Sequence, residues 1–300
     1  MVPAAGPGGW SEALAGSVAG AVARFCVAPL DVLKIRFQLQ TAGVRPGSGA
    51  TYTGVAQAVT AIWQREGLVG LWRGNLTAEL LCAGYTGVQF AVFGLLRPRL
   101  QGLCSDRPLL VSFVTGGVGG AVATASCYPL DLTRTLFAGQ GVPPAFHSYS
   151  HLAGSLWKRR GLRGFYKGLA PALLLVVPHT GAMLTFYEAA GRACPRLSGR
   201  PDFQLATGTL AGIVTRVVTH PLDTLKKRIQ MMGVTRHAAY GESMPHAATS
   251  AEALWLIVAR EGPWALYRGL LPSVMKTAPT TGITFAVHDQ VLLWLRRTWP

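Results

Sequence analysis

One phrase occurs three times in this chain, and it constrains the fold more than any bulk property. Pro29-Leu30-Asp31-Val32-Leu33-Lys34 returns as Pro129-Leu130-Asp131-Leu132-Thr133-Arg134 and as Pro221-Leu222-Asp223-Thr224-Leu225-Lys226. A second phrase follows each copy: Glu66-Gly67 to Trp72-Arg73-Gly74, Arg160-Gly161 to Tyr166-Lys167-Gly168, and Glu261-Gly262 to Tyr267-Arg268-Gly269. A glycine pair at helical spacing precedes each proline: Gly16/Gly20, Gly116/Gly120 and Gly208/Gly212. Elements kept in one order three times over mean one structural unit used three times. The chain therefore reads as a single domain over 1–300, with repeats at about 9–103, 104–199 and 200–300.

Each repeat reads as a long helix, a polar loop carrying a short amphipathic helix, and a second long helix. The long helices are predicted near 11–40, 74–100, 108–139, 168–194, 203–231 and 269–296, and the surface helices near 52–64, 148–160 and 247–260. Every long helix exceeds the roughly 20 residues needed to cross a bilayer, so tilt or a kink is expected. The prolines supply the kink, because each removes a backbone donor and crowds the preceding turn.

Composition agrees with lipid as the surroundings. Half of the residues are apolar, only 14% are charged, and 36 are glycine, a balance that suits close helix approach in a membrane. The net charge of +15 admits nucleic acid, anionic lipid or an anionic substrate as partner. No helix-turn-helix, RNA-binding or zinc spacing is present, so no nucleic acid is expected. Seventeen of the 28 Lys and Arg lie between the proline phrase and the second phrase of a repeat, which places the loops inside the repeats on the negatively charged face of the membrane, with both termini on the other. Cys26, Cys82, Cys104, Cys127 and Cys194 lack metal or disulfide spacing and read as small helix residues. The stretch before Arg24 has no Lys or Arg, unlike a signal peptide or an Arg-rich transit peptide. With no carboxylate pair, nucleophile elbow, P-loop or metal cluster, no catalytic residue, metal or cofactor is expected, and the chain does not read as an enzyme.

The triple phrase resembles the signature of the mitochondrial carrier family, over essentially the whole chain. Arg160 departs from it, standing at an acidic position of the second copy. The resemblance implies an all-α membrane protein with six transmembrane helices in three pseudo-threefold repeats. It also implies three short matrix surface helices and location as a multi-pass protein of the mitochondrial inner membrane. A monomer suffices for one pathway per chain. Asp31 would pair with Arg134, Asp131 with Lys226 and Asp223 with Lys34, forming a matrix gate braced by Gln38 and Gln230; Ala138 leaves the third brace out. A weaker cytoplasmic gate would use Arg97, Tyr187, Glu188 and Asp289, two acids and one base, with His288 packing beside them. Cardiolipin could dock at the helix starts after Gly74, Gly168 and Gly269.

Substrate lacks threefold symmetry, so residues that break the repeat should meet it. Arg24 and Arg216 each lie five residues before their proline, where the second repeat has Thr124. Lys276 lies seven residues after Gly269, where the other repeats have Leu81 and Leu175. Three unpaired cations at membrane depth call for a small anion, and a pyrophosphate would satisfy them. Leu81, Leu175 and Val176 offer an apolar wall, Gln89 and His179 hydrogen bonds, and Tyr85 a stacking surface. Glu79 faces either a substrate cation or a neighbouring helix. Within the family, the stretches Asp31 to Gln40, Gly84 to Phe90, Phe165 to Pro171 and Pro221 to Arg228 resemble the branch that carries thiamine pyrophosphate. That implies alternating-access transport by exchange or uniport. Coenzyme A, an adenine nucleotide or a deoxynucleotide stays open as substrate, as does a non-transporting membrane adaptor.

Overall fold

The computed structural model describes residues 9–41, 52, 54–103, 107–141, 144–195, 200–234, 247 and 249–298; Cys104 lies outside them. The first repeat holds α1 (Gly9–Leu39), α2 (Val55–Glu66), a 3-10 turn over Leu68–Trp72 and α3 (Asn75–Leu103). The second holds α4 (Pro108–Gly139), α5 (Tyr149–Arg160), the short α6 (Leu162–Phe165) and α7 (Leu169–Ala193). The third holds α8 (Pro201–Met231), α9 (Ser250–Glu261), a 3-10 turn over Pro263–Tyr267, α10 (Leu270–Met275) and α11 (Thr277–Thr298).

The predicted 269–296 helix is thus broken at Lys276. Pro279 has no amide hydrogen, and its ring crowds the carbonyl four residues back, so the helix stops at Met275 and restarts. Pro29, Pro129 and Pro221 stay inside α1, α4 and α8. Pro29 frees the carbonyl of Phe25, and the indole N–H of Trp72 donates to it at 3.1 Å.

The long helices close a ring: α1 packs on α3, α3 on α4, α4 on α7, α7 on α8, α8 on α11, and α11 on α1. Small residues set the approach. A Cβ on Gly120 would come 2.7 Å from the hydroxyl of Thr180 on α7, so only glycine lets α4 and α7 meet there. Gly74 and Gly269, which open α3 and α10, have φ of 80° and 84°. A Cβ there would lie 2.9 Å from the carbonyls of Arg134 and Lys34. Both the backbone conformation and the contact therefore require glycine.

Apolar residues cover the outside. Leu14, Val18, Val22 and Phe25 form an exposed stripe along α1, and Leu210, Val214 and Val218 repeat it on α8. Stripes of this kind call for an apolar partner, and on helices longer than the roughly 20 residues that cross a bilayer they suit lipid. The segments Leu68–Leu103, Pro108–Gly139 and Leu162–Ala193 are long and apolar enough to cross a membrane on length and composition alone. The other three long helices carry more charges; Asp31, Lys34, Asp223, Lys226 and Lys276 are turned inward into ion pairs, while Asp202 and Asp289 stay exposed. The result is a six-helix transmembrane bundle in three repeats. The surface helices α2, α5 and α9 all lie at the end of the bundle reached after the prolines.

Candidate functional site

At that end the three acids and three bases meet. Asp31 lies 2.6 Å from Arg134, Asp131 lies 2.9 Å from Lys226, and Asp223 lies 2.5 Å from Lys34. Each acid sits two residues after a proline and each base five residues after one, so one turn of each proline-bearing helix (α1, α4 and α8, the odd members of the six, with α3, α7 and α10–α11 the even ones) supplies both halves of the ring. The amide of Gln38 donates to Asp223 at 3.0 Å, and that of Gln230 donates to Asp131 at 2.8 Å. Ala138 offers no third brace. Asp31 instead takes a second cation, Lys276, across from α1. Asp131 also takes a second cation, Lys227, at 3.2 Å.

A further layer of charge lies outside the ring. Arg36 and Arg228 are each 1% exposed. Arg36 pairs with Glu66 and donates to the carbonyls of Ala138 and Gln140, both at 3.2 Å. Arg228 pairs with Glu261 and donates to the carbonyls of Gln38 and Gln40, both at 2.9 Å. Arg73 and Arg268 also reach these glutamates, at 3.0 and 2.6 Å. Each unit fastens the end of one odd helix to the end of the next. Sequence reasoning missed these links. Their signal is an Arg seven residues after the proline, paired with the acid of the second phrase.

On the other side of the ring, the bundle encloses a cavity of about 850 Å³, lined by Tyr85, Gln89, Val176 and His179 among others, with Phe93, Arg97, Tyr187 and Glu188 also on its wall. A smaller cavity of about 150 Å³ shares Val176 and His179 with it and adds Leu175, Arg216, Lys34 and Asp223. Six of the predicted contact residues therefore gather around one continuous space that ends on the charged ring. His179 is tied to Thr219 at 3.2 Å.

The expectation of three unpaired cations is corrected. Lys276 is neutralised by Asp31. Arg24 lies 3.9 Å from Glu79 and donates to the sulfur of Cys82 at 2.8 Å. Glu79 thereby finds its place, against Arg24. The reason is helix geometry: Arg24 and Lys276 each face an acid on an adjacent helix of the ring. Arg216 differs: it has no carboxylate partner among the described residues. One of its nitrogens donates to Ser273 at 3.1 Å, and its buried Nε has no hydrogen-bond partner there. Arg24, Lys276 and Leu81 do not line these two cavities.

At the cavity mouth Arg97 pairs with Glu188 at 3.2 Å and stands over the Phe93 ring. A second base, Arg192, reaches Glu188 at 3.9 Å, which corrects the expected single base. Asp289, with its side chain 72% exposed, has only His288 beside it at 3.4 Å among the described residues, and Tyr187 is exposed.

Three successive stretches, residues 7–102, 105–196 and 203–298, match the family model described as mitochondrial carrier protein. The chain is 37% identical to the mitochondrial thiamine pyrophosphate carrier 1 of Aspergillus oryzae, over 94% of this chain and 92% of that protein. It is 34% identical to the mitochondrial thiamine diphosphate carrier 2 of Zea mays, over 95% and 94%. It is 38% identical to the carrier 1 of Aspergillus terreus, over 93% and 90%.

Proposed function

Because the chain belongs to the mitochondrial carrier family, we propose that it moves thiamine pyrophosphate across the mitochondrial inner membrane by alternating access, as exchange or uniport. The observation that carries this reading is a cavity containing an acid-free arginine, Arg216, and ending on a ring of paired charges. The relatives' shared substrate has the matching chemistry: a diphosphate for the cations and an aromatic body for the wall.

The ring closes the matrix end, and the cavity opens toward the intermembrane space. The diphosphate first meets Arg216, whose unpartnered Nε and fork of donors suit phosphate oxygens. Leu175 and Val176 receive the organic rings, Gln89 and His179 bond their polar edges, and Tyr85 stacks on them. Lys276 and Arg24 then exchange their carboxylates for the phosphates. Lys276 leaving Asp31 loosens one unit of the ring, so binding is linked to opening. Such a step works only if substrate binds the two states unequally. The ring residues thus act as the matrix gate, and Arg97, Tyr187, Glu188 and Asp289 as the cytoplasmic one. The function is transport, with no catalytic residue and no cofactor. The working unit is a monomer, and cardiolipin headgroups dock at the helix starts after Gly74, Gly168 and Gly269.

The test is uptake of radiolabelled thiamine pyrophosphate, coenzyme A, adenine nucleotides and deoxynucleotides into proteoliposomes. Thiamine pyrophosphate should be taken up best. Arg216→Ala should lower its uptake about 10–100-fold, the worth of one charge-assisted contact, without lowering the melting point. Preference for another anion, or full uptake by Arg216→Ala, would overturn the reading.

A further inference from the structure

The links between odd helices break threefold symmetry at one place. Where the first and third repeats have Arg36 and Arg228, the second has Leu136; where they have Glu66 and Glu261, it has Arg160. The junction between the ends of α4 and α8 therefore lacks the buried arginine–glutamate unit that fills the other two. In its place is a cavity of about 210 Å³, whose lining includes Leu136, Arg159, Arg160, Lys167, Gln230 and Met232. Among the described residues, the lining brings three cations and no carboxylate. Lys167 spans the gap by donating to the carbonyl of Met232. Arg159 and Arg160 have no partner among the described residues.

We propose that this cavity is a second anion site, separate from the transport pathway, that takes a free phosphate or diphosphate from the matrix side. Its volume falls below the roughly 300–1,000 Å³ of pockets that hold drug-sized ligands, so it fits a phosphoryl group and does not enclose a nucleotide or coenzyme. Two guanidinium groups and an ammonium around an acid-free space suit an anion with several acceptor oxygens. An anion there would do what Glu66 and Glu261 do elsewhere: join the second phrase of one repeat to the end of the next odd helix. Gln230 lines the cavity and also braces Asp131 at 2.8 Å, so occupancy would favour the closed matrix ring.

The test is the melting midpoint of the purified full chain in phosphate-free detergent, titrated with inorganic diphosphate. Wild type should show a saturable rise. Arg216→Ala, which disables the central site, should keep it. The double substitution Leu136→Arg with Arg160→Glu rebuilds the link seen in the other repeats. Placed in the Arg216→Ala background, it should melt at or above that parent's midpoint and lose the rise. Should that variant not fold, Arg160→Gln in the same background should weaken the apparent affinity at least about tenfold. The proposal falls if the rebuilt variant in the Arg216→Ala background folds and keeps the rise, if Arg160→Gln in that background binds as its parent does, or if Arg216→Ala alone abolishes the rise. It also falls if cardiolipin added to the micelles gives an Arg160-dependent rise while diphosphate gives none, which would assign the site to a lipid headgroup.

Discussion

The two ends of the bundle are built from the same kinds of residue and differ in how they are closed. At the proline end every acid of the ring is buried or nearly so, each has a cation within 3 Å, and each has a further partner: Gln38 for Asp223, Gln230 for Asp131, Lys276 for Asp31. At the mouth a single Arg97–Glu188 pair, its arginine one-third exposed, is joined loosely by Arg192, and Asp289 stands in solvent beside His288. Buried ions are expensive when one partner is lost, whereas exposed pairs contribute little. In this structure the proline end is the shut one, and on the proposed reading opening it takes most of the work that substrate binding must supply. A cysteine-accessibility scan should find the matrix half better protected than the mouth. Equal protection at both ends would contradict the difference.

The largest effect should come from Asp31→Ala. It leaves both Arg134 and Lys276 without their acid in a site only 6% exposed at Asp31. Removing one partner of a buried pair costs about 3–5 kcal/mol. Thermal melting in detergent should show a large drop, and proteoliposome uptake should fall by two orders of magnitude or more. Uptake close to wild type would mean that the ring does not close the pathway.

A smaller effect, of opposite sign, is expected from Ala138→Gln. In the other two repeats the glutamine lies against the glycine that opens the preceding even helix around the ring: Gln38 beside Gly269, and Gln230 beside Gly168. At the corresponding place Ala138, Gly74, Asp31 and Arg134 line a small void. A glutamine there would reach Asp31 and add about 1 kcal/mol, a typical net hydrogen bond. The melting point should rise, and transport should slow several-fold, because the ring must open in every cycle. A lower melting point would show that Lys276 already occupies the brace position.

How much of this could be read from the chain follows from where its symmetry holds. The long helices, the surface helices and the ring pairs all rest on features repeated three times, so spacing and the family resemblance located them together. The partners of Arg24 and Lys276 could not be read in this way. Arg24 and Lys276 break the repeat, and the acids they meet, Glu79 and Asp31, lie on other helices, at positions that only packing determines. The break at Lys276 was implicit in Pro279, whose effect on the carbonyl four residues back is local and was overlooked. The Arg36–Glu66 and Arg228–Glu261 links also recur, but in two repeats of three, and a search for perfect threefold patterns passes over them.

The smallest effect should come from Glu188→Gln, and it separates the two ends most sharply. Glu188 is held by Arg97 at 3.2 Å and Arg192 at 3.9 Å, both partly exposed to solvent. Arg97 keeps its place over the Phe93 ring, 5.0 Å from the centroid, after the carboxylate is gone. The remaining cations are hydrated, so the loss in the state seen here should stay within about 1 kcal/mol. The same residue would count for more once the mouth closes, when the arginines and acids around it would be drawn together out of water. The substitution should therefore leave the melting point nearly unchanged and raise the share of molecules open at the mouth. This shift would appear as faster labelling of cysteines placed at Gln89 or Val176 from the intermembrane side. A loss of stability and uptake as large as that of Asp31→Ala would mean that both ends are closed with equal strength, and that the single pair at the mouth does the work of the three at the ring.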